Sequence, residues 1–181
     1  MLSALIIILL FLAFYVGYRR GIVRNLFYFA GYAATVFVAL LLGPRLGNHF
    51  TLWIPFPAPN LNTQLTFYSQ DWLLKLEEPF YHLCGFLCIC LLGWLLTHFI
   101  AHLLFAKCKL PTGALSQVNH ILGGLLQVVV VYIFCLVGLL LLSVLPVPSI
   151  QAALENSTVV QWMWYQTPML IPWLQNFILG M

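Results

Sequence analysis

The sequence predicts an all-α integral membrane protein with about four transmembrane helices, plus short interfacial helices in an outer loop and a C-terminal tail. Three observations predict it. The 181 residues are 63% hydrophobic and 6% charged, with a mean hydropathy of +1.01, whereas soluble domains carry about 25% charged residues. Long apolar runs alternate with short stretches that hold nearly all the charge. Between the first two runs, Gly17-Tyr18-Arg19-Arg20-Gly21-Ile22-Val23-Arg24 gathers three of the seven basic residues. An arginine at the bilayer centre costs about 2.5–3.5 kcal/mol on insertion scales, so Arg19, Arg20 and Arg24 hold this turn at a membrane surface. Basic residues beside spans stay cytoplasmic, which puts the turn inside the cell. The length suits one domain over 1–181.

The first span covers about 2–18, near the lower limit of roughly 17 residues for a membrane helix. Charge follows this run instead of preceding it, the reverse of a secretory signal peptide. It therefore reads as an uncleaved anchor with its N-terminus outside. Gly17 and Gly21 permit a tight return or a break in the helix. The second span covers 22–43. There Ala30/Ala34 and Gly31/Thr35, each four apart, form rows of small side chains that let helix backbones approach in lipid. Pro44 is expected to end this helix.

An outer interfacial segment follows over 44–79. Ile54-Pro55-Phe56-Pro57-Ala58-Pro59-Asn60 cannot form a regular helix. Ser69 to Glu78 reads as a short amphipathic helix, with Trp72, Leu73 and Leu76 on one side and Asp71 near its positive end. Trp53, Tyr68 and Trp72 are of the types that sit at headgroup level. The third span, 80–106, is about 40 Å long at ~1.5 Å per residue and must tilt or emerge from a ~30 Å core. Lys107 and Lys109 return it to the side of the arginine turn. The fourth span, 120–145, stops at Pro146-Val147-Pro148.

Four crossings place both termini outside. Arg45, Lys75 and the four acidic residues then fall outside, while Lys107 and Lys109 join the three arginines inside. That bias is the one expected of a multi-pass protein. The segment 146–181, interrupted by Pro168 and Pro172, reads as short helices on the outer leaflet anchored by Trp162, Trp164, Tyr165 and Trp173. A re-entrant hairpin is the alternative. Asn156-Ser157-Thr158 fits an N-glycosylation pattern but reads first as a polar helix cap.

With these landmarks in place, the chain resembles the colicin V production protein (CvpA) family, in its Gram-positive form. The resemblance rests on Gly17 to Arg24 after a short first span. It continues in Gly93-Trp94-Leu95-Leu96-Thr97 of the third span and in Val118-Asn119-His120-Ile121-Leu122-Gly123-Gly124 opening the fourth. A proline stop and Asn156-Ser157-Thr158 complete the order, so nearly the whole chain is covered. The family often has a basic residue where this chain has His120, and a further glycine near Gln127. The resemblance implies a non-enzymatic protein of the bacterial plasma membrane, linked to colicin V or bacteriocin (toxin) production or export and to envelope physiology.

Candidate chemistry centres on His98 and His102. Four apart, they project from one helix face, and His98 lies roughly 10 Å into the hydrocarbon, counting back from Phe105. An ionisable group there faces a protein interior, a cavity or a pathway. A zincin needs glutamate after the first histidine; position 99 is phenylalanine. His120 and Cys108 fall beside the same membrane face and could complete a metal site, but polar packing is the first reading, and no metal or cofactor is assigned. Cys84 and Cys88 share one helix, where the backbone sets the wrong geometry for a disulfide.

The basic turn of Arg19, Arg20 and Arg24 has two readings. One is topology plus contact with anionic lipids at the inner surface, worth about 1 kcal/mol per basic residue. The other is a docking surface or an anion-conducting mouth. There is no Gly-x-Ser-x-Gly and no acidic residue inside a span, so no enzymatic activity is expected. A net charge of +3, concentrated in turns, excludes nucleic acid as the expected partner. The expected partners are the bilayer and a second copy or another membrane protein. The alternative function is a small oligomeric channel or transporter with a path lined by His98 and His102.

Overall fold

A computed structural model describes residues 2–57, 65–67, 76–106, 115–167, 170–174 and 176. Four helices are long and apolar enough to cross a membrane: α1 (Leu2–Arg20), α2 (Ile22–Phe50), α3 (Glu77–Phe105) and α4 (Leu115–Val144). Three short ones follow: α5 (Pro148–Glu155), α6 (Thr158–Gln166) and α7 (Leu170–Leu174). Among the described residues there is no strand. The protein is an all-α integral membrane protein. Its outward faces carry large apolar side chains such as Phe11, Phe37, Leu91 and Phe99, which suits contact with lipid tails.

The helices differ from the sequence expectation mainly at their ends. The expected first span stops at 18, but α1 runs on through Arg19 and Arg20, whose charge complements the negative end of the helix dipole. Glu77 and Glu78, expected in a separate amphipathic helix, form the first turn of α3 and complement its positive end. The rest of that expected helix, 69–75, lies outside the described residues.

Pro44 was expected to end α2 and does not; it sits inside a helix that continues to Phe50. A proline removes one donor and crowds the preceding turn, a cost that membrane helices absorb when neighbouring helices hold both halves. Gly43 and Gly47 supply that hold here. A Cβ on Gly43 would come within 3.2 Å of the Phe86 backbone, and one on Gly47 within 2.7 Å of the Tyr81 carbonyl carbon. The seam with α3 therefore spans the proline.

Contacts are heaviest between α2 and α3, then between α1 and α4, then between α2 and α4. The transverse order is thus α3, α2, α4, α1, and the helices adjacent in sequence at the N-terminus barely touch. Of the two small-residue rows in α2, Gly31/Thr35 lies on the α3 seam, opposite Thr97 and Gly93, whereas Ala30 and Ala34 are exposed. Thr35 and Thr97 each turn their hydroxyl back onto their own helix, donating to the carbonyls of Gly31 (2.8 Å) and Gly93 (2.7 Å). This leaves methyl groups for the neighbour and no orphaned donor in lipid.

The main core lies at the end of the bundle away from the arginines. Leu76, Leu83, Leu136, Leu140 and Val144 meet Leu154, Val160 and Met163 of α5 and α6 there, all essentially without solvent exposure. The short helices are therefore seated on protein by one face, while Trp162, Tyr165 and Trp173 remain exposed on the other. Trp164, expected as a surface anchor, is half-buried and stacks on Phe67 at 4.1 Å. Gln151 joins the parts. Its Nε2 donates to the Leu145 carbonyl just past the end of α4 (2.8 Å), and its Oε1 accepts from the Thr66 backbone amide (2.9 Å). Ser157 caps α6 by accepting from the Val160 backbone, the role read from Asn156-Ser157-Thr158.

Candidate functional site

The site is built at the basic end, where α1 passes into α2. Gly21 has φ +75°, the only positive φ among the described residues, a conformation that glycine adopts without steric cost. The break frees the first amides of α2. One of them, at Ile22, donates 2.9 Å to Oδ1 of Asn119 on α4. Asn25 lies one turn further on and is 2% exposed. Its Nδ2 donates to the carbonyls of Gly17 (3.1 Å) and Gly123 (2.7 Å). Two asparagines thus tie together the end of α1, the start of α2 and the start of α4. Glycines allow the approach: a Cβ on Gly17 would come within 2.6 Å of the Gly123 carbonyl oxygen.

Asn119 entered the sequence reading only as part of the Val118 to Gly124 motif, and Asn25 was not singled out. The available signal was a single amide in an apolar span, four residues past Gly21, with no local partner. An Asn25→Leu chain is expected to lose about 1–2 kcal/mol, since interhelical hydrogen bonds in membranes average about 0.6 kcal/mol each and a packing defect adds to two of them. Thermal unfolding of the purified protein in detergent measures this, and an unchanged midpoint would refute it.

The three arginines, equivalent in the sequence, separate in space. Arg19 is exposed and lies 5.9 Å over Tyr15 of its own helix. Arg20 reaches across to α2, its guanidinium 4.4 Å over the Tyr28 ring, and Arg24 sits 5.3 Å over Phe105 of α3. Such contacts are worth about 0.5–1 kcal/mol when exposed and more when desolvated. Arg24 borders a cavity of about 320 Å³, lined also by Tyr28, His98, Ala101, His102 and Phe105. The two histidines predicted to share a face are therefore brought to one cavity. Their settings differ. His98 is half-buried against Tyr28 (4.8 Å), Tyr32 (6.2 Å) and Trp94 (4.5 Å), while His102 is exposed. The Nδ1 of His98 pairs with the Trp94 carbonyl at 3.0 Å, which leaves Nε2 as the free ring nitrogen.

His120 is placed elsewhere. It bonds to the Tyr18 carbonyl and packs on the Tyr18 ring at 5.3 Å, holding α4 to α1. Cys108 lies outside the described residues. Among those described, no three His, Cys, Asp or Glu side chains converge as metal ligands, and Cys84, Cys88, Cys90 and Cys135 are free thiols. Gln127, where the family often has glycine, is buried at the α1 seam, its Cβ 2.5 Å from where a Cβ on Gly17 would stand.

The glycine-lined arginine turn and the four spans lie within the stretch matched by a family model, that of the colicin V production protein, over residues 2–168. The chain belongs to the colicin V production protein family. Among relatives of this colicin V production family member is an uncharacterized transmembrane protein, YshB, of Bacillus subtilis (strain 168). It is 27% identical over 177 residues, covering 97% of this chain and 96% of the relative. No solved structure matches the chain. Within the family match, the Ile22–Asn119 and Asn25–Gly123 hydrogen bonds and the Arg–His cavity all sit at the basic end of the bundle.

Proposed function

We propose that this protein is a non-enzymatic, multi-pass component of the bacterial plasma membrane that serves toxin or bacteriocin production or export and envelope physiology. The observation that carries the reading is the family match, which extends over 2–168 and so takes in all four spans. A component of this kind works through its lateral contacts. A groove of about 430 Å³ between α2 and α3, lined by Gly31, Ala34, Thr35, Gly93 and Leu96, supports contact with a second copy or another membrane protein. The chain acts as a single domain over 1–181, with the arginine end cytoplasmic and both termini outside. Clustering of Arg19, Arg20 and Arg24 at one end, and of Arg45, Glu77 and Glu78 on the expected outer side, supports that orientation.

Crosslinking in native membranes, followed by identification of the captured protein, tests the role. Capture of secretion or envelope machinery is the expected result, and a chain whose removal leaves secretion and envelope integrity unchanged overturns it. Reporter fusions to the C-terminus test the sidedness. A second reading, a small oligomeric channel or transporter, draws support from His98 and His102 bordering one cavity. Proteoliposome flux equal to that of empty vesicles, or flux indifferent to substitution of both histidines, removes it.

A further inference from the structure

We infer that the cavity between α2 and α3 at the basic end is a binding site for the phosphate headgroup of an anionic lipid, held by Arg24 with His98 and His102 and entered laterally from the bilayer. The inference rests on neither the secretion role nor the sidedness proposed above. It starts from charge. Arg20 and Arg24 are half-buried at a span end, and no described acidic residue lies near them: Glu77 and Glu78 open α3, and Glu155 closes α5. Among the described residues the one ion pair is His82 with Glu78, in the first turns of α3. Cationic groups removed from water need a counter-charge or a hydrogen-bond acceptor.

The second observation is an unused donor. The Nε of Arg24 is buried and has no hydrogen-bond partner among the described residues, although Arg24 lines the cavity. The aromatic rings beneath the guanidiniums satisfy charge in part, but not the directional N–H. A phosphate oxygen would do so, since planar guanidinium forks match phosphate geometry. His102, exposed at the rim, and the free Nε2 of His98 supply further polar contacts around the same space. At about 320 Å³, the cavity is of the size of the smaller ligand sites.

The third observation selects a lipid over a soluble anion. The immediate sequence neighbours of the lining residues on both helices are apolar and face outward: Val23 on α2, Phe99 and Leu103 on α3, each more than half exposed. The approach is therefore through the hydrocarbon boundary, along which acyl chains can lie while the headgroup enters. Arg24 stands within the first turn of α2, about 5 Å from the break at Gly21 at ~1.5 Å per residue. That is headgroup depth, not mid-bilayer.

The test uses the full-length protein in detergent micelles titrated with dioleoylphosphatidylglycerol, dioleoylphosphatidylcholine or inorganic phosphate, with the thermal midpoint as readout. Saturable stabilisation by phosphatidylglycerol, absent with phosphatidylcholine, is expected. Arg24→Gln should weaken it at least about tenfold, the size of one charge-assisted hydrogen bond, and Arg24→Lys should retain part of it. His102→Gln, an exposed change that leaves the core intact, should weaken it several-fold, and Arg45→Gln at the other end should not change it. Equal stabilisation by the two lipids, saturation by inorganic phosphate alone, or a His102→Gln protein that titrates like the parent would each overturn the inference.

Discussion

A Gly85→Val chain is expected to lose about 3 kcal/mol, the upper end of the usual overpacking range. The reason is the identity of the obstructing atoms. A Cβ on Gly85 would stand 2.6 Å from the Gly47 amide nitrogen and 3.0 Å from its Cα, and it would also meet the Gly43 carbonyl oxygen. These are backbone atoms of α2, so no rotamer change relieves the clash, and the two most heavily packed helices must separate. Two comparisons isolate the cause. Gly31→Ala adds one methyl and would press on the Thr97 side chain instead of on backbone, and should cost less. Gly138 has nothing within 4 Å of an added Cβ. Gly138→Ala should be neutral or gain up to about 1 kcal/mol from helix propensity. Thermal unfolding of the three variants in one detergent gives the order, and a Gly85→Val midpoint at or above that of Gly138→Ala would contradict the packing seen at the seam.

Gly123→Val is expected to have an effect of similar size and a different signature. Its Cβ would approach the Gly21 carbonyl carbon at 2.7 Å, the Gly17 carbonyl oxygen at 2.8 Å and the Ile22 amide nitrogen at 2.9 Å. The clash is thus with the turn itself. Moving it aside breaks the bonds from Asn25 to Gly123 and from Ile22 to Asn119. The arginine turn should then open locally before the bundle unfolds. Trypsin cleavage after Arg19 or Arg20 reads that opening. A loss of about 3 kcal/mol corresponds to a cleavage rate higher by roughly 10²-fold when cleavage is slow relative to reclosing. An unchanged rate would mean that Gly123 does not seat the turn.

How much of this was legible in the sequence follows from the range of each interaction. The four spans were readable because they depend on local apolar length, and the arginine turn because an uncompensated guanidinium costs too much in hydrocarbon. The shared face of His98 and His102 was readable from helix geometry. Their differing burial was not, because it is set by Tyr28 and Tyr32 on another helix. Asn25 and Asn119 were not readable as a pair: the partners they bond across the bundle stand 97 and 98 positions away, and an isolated amide in an apolar run shows only that it needs a partner. Pro44 misled for a related reason. Its local effect is to stop a helix, but the contacts of Gly43 and Gly47 with α3 outweigh it.

The transverse order of the helices bears on how the chain reaches its final state during synthesis. The first helix leaves the ribosome long before the fourth, on which it is seated. The second and third can close against each other as soon as both are inserted. The N-terminal helix therefore enters the lipid nearly a hundred residues before its α4 partner is made, joined until then to α2 alone, through the glycine turn at residue 21 and the bond from Asn25 to Gly17.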